Sequence, residues 1–286
     1  MDIKNFNDLT LEKAKELQGK ENVVYVLNPQ TQSKTKIYTL NEYIETKQVV
    51  DEFFQDMPEI PLNDTNRELQ IFSYIYTKLA YLIKYDENAV KASNAVGYER
   101  DMLEHILDNA STAYGGLVLH KALCSGYSDT LKVLLESQGI KCKEISGGAR
   151  TRGEGGGSHA WNQVCLDGVW YNCDLTNDCD FIIEDLQAPY FLKSNDDFKR
   201  YEEYPPKTPE IVEDAITTMS NEMQEELIHN AKNLLEREKQ NKQNRLAKEQ
   251  EQKVFQEKQE KFEKLPKFVQ KVCLAVAPKK FAGMGR

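Results

Sequence analysis

The chain has 286 residues, 40% hydrophobic and 29% charged, with a net charge of −9, a pI near 5.2 and a mean hydropathy of −0.64. That acidic balance argues against a nucleic-acid partner, because phosphate binding needs a basic surface. Nowhere do about eighteen apolar residues run together, and MDIKNFNDLTLEKAKE holds no apolar leader core, so the expectation is a soluble, cytoplasmic protein.

Residues 1–60 form an N-terminal extension. Asn22 to Leu27 and Lys36 to Leu40 read as two strands separated by the polar NPQTQSK, and EYIETKQVVDEFF as a helix ending before Met57-Pro58. Nothing in this extension carries chemistry, and packing against the following domain is preferred to a substrate-binding role. A helix begins at Asn63 or Asp64 as cap and buries Leu69, Phe72, Ile75, Tyr76 and Leu79. Ile83 to Tyr85 then leave as strand or loop. Glu99 to Leu107 read as a helix burying Met102, Leu103, Ile106 and Leu107, and Ser111 to Gly116 break it.

Cys124 stands immediately before an amphipathic helix, since Tyr127, Leu131, Leu134 and Leu135 recur at helical spacing and Gly139 closes the pattern. Free N–H groups and the positive dipole end at a helix start favour a thiolate, the nucleophilic form of cysteine. The other cysteines, at 142, 165, 173, 179 and 273, follow no secreted spacing and include no C-x-x-C pair, so they read as free thiols. Cys142, Cys165 and Cys173 fall in apolar strand settings as small core residues.

Ser146 to Gly157 form a glycine-rich loop that serves as a lid or as a long hairpin connection. If it is a lid, Arg150 and Arg152 reach an acidic group of the substrate. Ser158 to Leu166 and Val169 to Thr176 are two strand-like runs joined at Asp167-Gly168, a dipeptide favoured in two-residue hairpin turns. Leu166 then faces Val169, Trp161 faces Asp174 and His159 faces Thr176. His159 and Asp174 become diagonal neighbours on one face, roughly 7 Å apart at Cβ, within reach of an imidazole–carboxylate hydrogen bond. A bulge would put them on opposite faces. Trp161 shares that face and either shields the pair from water or serves as a core aromatic.

Asp178, Asp180, Glu184 and Asp185 follow as a solvated acidic face. Their spacing matches no calcium loop, and no metal or cofactor is expected. Pro205, Pro206 and Pro209 end this domain, which spans 61–206. A helix over 207–263 carries an apolar stripe from Ile211 through Ala215, Met219, Met223, Leu227 and Ala231 to Leu234 or Leu235. Its later part is dominated by glutamate, lysine and glutamine and reads as a solvated arm or a weak coiled-coil site for a helical partner over 211–263. Residues 264–286 are a basic amphipathic tail. It contacts an anionic membrane or an acidic partner, docks on the protein's own acidic body, or is disordered.

GYSDTLKVLLESQGI after Cys124, His159-Ala160-Trp161, and Gly168 to Asp174 resemble the three signature blocks of the transglutaminase-like superfamily. The likeness extends from about Leu69, through IYTKLAYLIKYDE, to PYFLKSNDDF and about Tyr204. It implies an α+β fold with a papain-like core, in which a nucleophile helix packs on an antiparallel sheet. The N-terminal α/β extension and the long charged C-terminal helix are additions to that core. The resemblance also implies that Cys124 is the nucleophile, His159 the base and Asp174 the orienting acid, with Tyr114 near the thiol as an oxyanion donor or a packing residue. His120 to Leu123 depart from the pattern, since relatives commonly carry glycine there.

The expected activity is thiol-dependent acyl transfer on an amide of a peptide or protein substrate, by a peptidase or amidase if water resolves the thioester and a transglutaminase if an amine does. The alternative is a domain of this fold without turnover, which binds peptides or proteins and uses the helical arm for interaction.

Overall fold

The computed structural model describes residues 1–27, 34–149, 157–198 and 213–276, leaving out the side chains of residue 149 and of 272–276. The chain divides into two compact units, Met1–Leu235 and Glu236–Arg286.

The first unit opens with β1 (Asp2–Ile3), α1 (Leu11–Glu16), β2 (Val23–Leu27), β3 (Lys34–Thr39) and α2 (Leu40–Phe53). The first three strands form one sheet in the order β1-β2-β3. Thr39 caps α2 by accepting from the Glu42 N–H, while the Glu42 carboxylate accepts from the Thr39 N–H, a reciprocal capping box. Ile3, Phe6, Tyr38 and Tyr43 join Tyr127 and Leu131 in one hydrophobic core.

Next come α3 (Arg67–Leu82), β4 (Lys84–Tyr85), α4 (Glu87–Asn94), α5 (Tyr98–Ala110), α6 (Ala113–Leu117) and β5 (Lys121–Ala122). The α3 helix starts later than its sequence predicts. Asp64 spends its carboxylate on the Asn66 N–H and the Gln70 side chain, and Asn66 makes no side-chain cap. On α5 the expected burial fails: Met102 is 58% exposed, Leu103, Ile106 and Leu107 are half-buried, and Ala110 is the buried residue of the helix.

The core of the fold is α7 (Cys124–Ser137) against a second sheet of β6 (Cys142–Ala149), β7 (Gly157–Leu166) and β8 (Val169–Cys173), in the order β6-β7-β8. Both pairings are antiparallel. The fold is therefore a mixed α+β one in which α7 packs on an antiparallel sheet. At the Asp167-Gly168 turn both residues have positive φ, 49° and 83°, and Leu166 pairs with Val169 as that turn requires. β6 runs on through the residues Ser146 to Ala149, which the sequence had placed in the glycine-rich loop.

β8 ends at Cys173, paired with Asn162, and α8 (Leu175–Ile183) begins at once with Asp174 as its cap. Thr176 is therefore helical and does not face His159. Asp178, expected on a solvated face, is instead 0% exposed. It accepts hydrogen bonds from the Tyr76 hydroxyl at 2.8 Å and the Tyr190 N–H at 2.9 Å, which tie α8 to α3. Asp180, Glu184 and Asp185 are exposed as expected.

The helix expected from 207 begins later, since α9 runs Asn221–Glu263. Residues 213–220 form an extended strap: Asn195 N–H donates to the Ala215 carbonyl and Met219 N–H to the Leu192 carbonyl. The apolar stripe is thus divided between strap and helix, burying Ala215, Met219, Leu227, Ala231 and Leu235 but leaving Met223 exposed.

In the second unit, α9 leaves Leu246, Val254 and Phe255 exposed and carries an Arg245–Glu249 ion pair at i,i+4. A final helix, α10, spans Lys267–Val276. The amphipathic reading of the tail falls largely on side chains outside the described residues. Among the described residues no helix is long and apolar enough to cross a membrane.

Replacing Asp178 with Ala leaves two buried donors without an acceptor and lowers stability by about 3 kcal/mol, whereas Asp178→Asn, which keeps a carbonyl oxygen, costs about 1 kcal/mol. Denaturant titration of the two variants checks the difference.

Candidate active site

Cys124 opens α7, and no side chain caps that helix. The entry is fixed by backbone instead. Leu123 N–H donates to the Ala110 carbonyl at the end of α5, and the Leu123 carbonyl accepts from Gly126 and Tyr127. A Cβ at Gly126 would sit 2.2 Å from the Ala110 oxygen, so this turn tolerates only glycine at that contact. The thiol is half-buried.

His159 lies on β7 opposite Gly147 of β6. Its Nε2 is 2.8 Å from Asp174 Oδ2, and its ring also hydrogen-bonds the Cys124 thiol. With Nε2 given to the carboxylate, Nδ1 is left for sulfur. The diagonal predicted from the hairpin is therefore reached, but Asp174 arrives as the N-cap of α8 rather than as part of a strand. The structure brings Cys124, His159 and Asp174 together.

Burial alone would push the Cys124 thiol up. The hydrogen bond and charge of His159, with the backbone N–H groups of Ala160 and Ser125, outweigh burial and hold the thiol below its ordinary value. Burial would lower His159, yet its hydrogen bonds to Asp174 and Cys124 raise it to about 10. Both directions favour a thiolate–imidazolium pair at neutral pH.

The acid is also held by Asn177, which reaches both of its oxygens. The Asn177 side-chain amide donates to Asp174 Oδ2 at 2.6 Å, and its backbone N–H donates to Oδ1 at 3.3 Å. The N-cap pattern, aspartate followed three residues later by a donor at a helix start, was the available signal. The β-like run through Cys173 concealed it.

Tyr85 was also missed. Parallel pairing of β4 with β5 sets it beside Ala122, and its ring stacks on Tyr127. Burial and the charges of Cys124, Glu87 and Asp174 push its hydroxyl up to about 12, which puts it among the groups around the thiol.

Trp161 stacks on the His159 ring with centroids 6.4 Å apart and planes 19° apart. It is buried with Ile145, Tyr190 and Phe198, so it is both core aromatic and a wall for the imidazole. Tyr114 is placed elsewhere: α6 turns it toward α2, where its hydroxyl bonds Glu45. Arg150 and Arg152 lie outside the described residues. His105, His120 and His229 are exposed.

A half-buried thiol, an imidazole and a buried carboxylate thus stand in contact sequence. Residues 51–175 match the family model of the transglutaminase-like superfamily. The matched stretch contains Cys124, His159 and Asp174. The match starts upstream of Leu69, within α2, and stops at Leu175.

Among solved structures, one described as a TGase is 18% identical with a TM-score of 0.36, over 57% of this chain and 38% of that one. A candidate cysteine protease from Cytophaga hutchinsonii is 14% identical with a TM-score of 0.30, over 46% of this chain and 37% of that one. The chain thus spans less than two fifths of either. No curated protein matches it.

Burial raises the thiols of Cys142, Cys165, Cys173 and Cys179. Iodoacetamide at pH 6–7 is therefore expected to modify Cys124 ahead of these four, as read by peptide mass spectrometry. Asn177→Ala, by releasing one side of the acid, slows that labelling by about threefold. Asp174→Ala slows it by about tenfold or more, the size of a lost hydrogen bond to a charged group.

Proposed function

We propose that the chain catalyses acyl transfer from an amide of a peptide or protein, with Cys124 as nucleophile, His159 as acid and base, and Asp174 as the group that orients the imidazole. The observation that carries this reading is His159, bonded to Asp174 at 2.8 Å on one edge and to the Cys124 thiol on the other.

In the first step the Cys124 thiolate adds to the amide carbonyl. The C–S bond forms as the carbonyl π pair moves to oxygen. The Cys124 backbone N–H, free of an intrahelical partner at the start of α7, is the first donor for that oxyanion. The tetrahedral adduct then collapses. The C–N bond breaks, the imidazolium gives its proton to the departing nitrogen, and a thioester remains on Cys124.

Neutral His159 next takes a proton from the incoming nucleophile, which attacks the thioester and expels the thiolate. Water as nucleophile gives a peptidase or amidase, and a primary amine gives a transglutaminase. Asp174 keeps Nε2 engaged throughout, so the same ring edge faces sulfur in both steps. Trp161 covers one side of the ring and limits water there.

Incubation with a peptide library, with and without a primary amine, followed by mass spectrometry, is expected to yield cleaved, deamidated or amine-linked products that disappear with Cys124→Ala. Asp174→Asn lowers kcat by roughly two orders of magnitude or more, by removing control of the imidazole tautomer. Unchanged turnover in Cys124→Ala would remove the proposal.

A further inference from the structure

The N-terminal sheet lies outside residues 51–175, the part matched by the family, yet it reaches the turn that carries the nucleophile. Lys36 on β3 is 8% exposed. Its Nζ donates to the Ser111 carbonyl at 2.7 Å, to the Ser125 carbonyl at 3.3 Å and to Glu144 Oε1 at 2.9 Å. Burial works against its charge and Lys132 repels it, but Glu144 and Asp129 outweigh both and hold the ammonium protonated.

Ser125 follows Cys124, and its N–H bonds the Cys124 sulfur. One residue thus has its carbonyl tied to Lys36 and its N–H aimed at the thiol. A turn further along α7, the Tyr38 hydroxyl, also from β3, donates to Asp129 Oδ2 at 2.7 Å. That oxygen accepts the Ala113 N–H as well, at 2.8 Å. On the other side the end of α5 is pressed against Gly126. Burying an ammonium costs several kcal/mol unless it is paired, and an apolar side chain would fill the same space without that cost. What the ammonium adds is direction, because it fixes two backbone carbonyls at hydrogen-bond distance.

We propose that Lys36 is a positioning residue for Cys124: through the Ser111 and Ser125 carbonyls, the N-terminal sheet sets the first turn of α7 so that the Ser125 N–H points at sulfur. This rests on the reading of Cys124 as the reactive thiolate. The groups acting on that sulfur are His159 and the Ala160 and Ser125 N–H groups, with the Tyr85 hydroxyl nearby and Asp174 behind His159. Glu144, Asp129 and Lys132 are the charged groups around Lys36.

The test uses the full chain with Lys36→Met/Glu144→Gln, which removes the ammonium without leaving an unpaired carboxylate. Iodoacetamide labelling of Cys124 is followed from pH 5 to 10 by peptide mass spectrometry, with circular dichroism and a thermal melt to establish folding. Expected is about tenfold slower labelling of Cys124 at pH 6, with rates converging above the ordinary thiol pKa, because one pH unit in the midpoint is tenfold in thiolate.

A folded variant with the wild-type pH profile overturns the role of Lys36. If the double variant does not fold, Lys36→Gln, whose side chain is one bond shorter and uncharged and cannot hold both carbonyls and Glu144 together, is measured in its place: slowing in the same direction supports the role and a wild-type profile overturns it. A wild-type chain that labels Cys124 no faster than Cys165 at pH 6 overturns the thiolate reading itself, and is told apart by needing no variant.

Discussion

A single imidazole stands between sulfur and carboxylate, and its 2.8 Å bond from Nε2 to Asp174 decides what the other edge can do. A ring free to rotate would spend its time on water or on either neighbour. A ring held at one nitrogen presents the other to Cys124. Three separate pieces of scaffold serve that bond. Pairing of β7 with β6 fixes His159 along its strand, the cap of α8 fixes Asp174, and the stack on Trp161 fixes the plane of the ring.

The acid itself sits in an unusual neighbourhood, since Asp174 and Asp178 lie one helical turn apart and both are buried. Two ionised carboxylates so placed would repel strongly. The structure separates their roles through their partners. Asp174 receives His159 and two donors from Asn177, all suited to an ionised group. Asp178 is pushed well above the usual carboxylate range by burial, although the Tyr190 N–H and the Tyr76 hydroxyl work against that rise. Asp178, bonded to the Tyr76 hydroxyl, acts as a joint between α8 and α3.

Much of this was legible in the sequence because it is encoded locally. The Asp167-Gly168 turn sets a register that depends only on adjacent residues, and the helical spacing after Cys124 places the thiol at a helix start. Legibility ends where tertiary contacts override local pattern. Cys173-Asp174-Leu175 continues a plausible strand, and nothing nearby announces that Asp174 turns into a cap. Asp178 resembles its exposed neighbours Asp180, Glu184 and Asp185 in sequence, and only the arrival of Tyr76 from α3 distinguishes it. The α5 stripe of Met102, Leu103, Ile106 and Leu107 looks like a core face, yet Ala110 at the end of the helix is its one buried residue. Lys36 reads as an ordinary strand lysine until its three distant acceptors are known.

None of the groups that lower the Cys124 thiol are near it in sequence apart from the Ser125 N–H. A chain emerging from synthesis carries Cys124 well before His159 and Asp174, and until β6, β7 and α8 assemble, that sulfur behaves as an unactivated thiol. The lowering of this thiol is therefore a property of the completed fold, arriving with the long-range contacts that bring His159 and Ala160 to it. The acidity of one sulfur thus becomes an internal gauge of how much of the population is native.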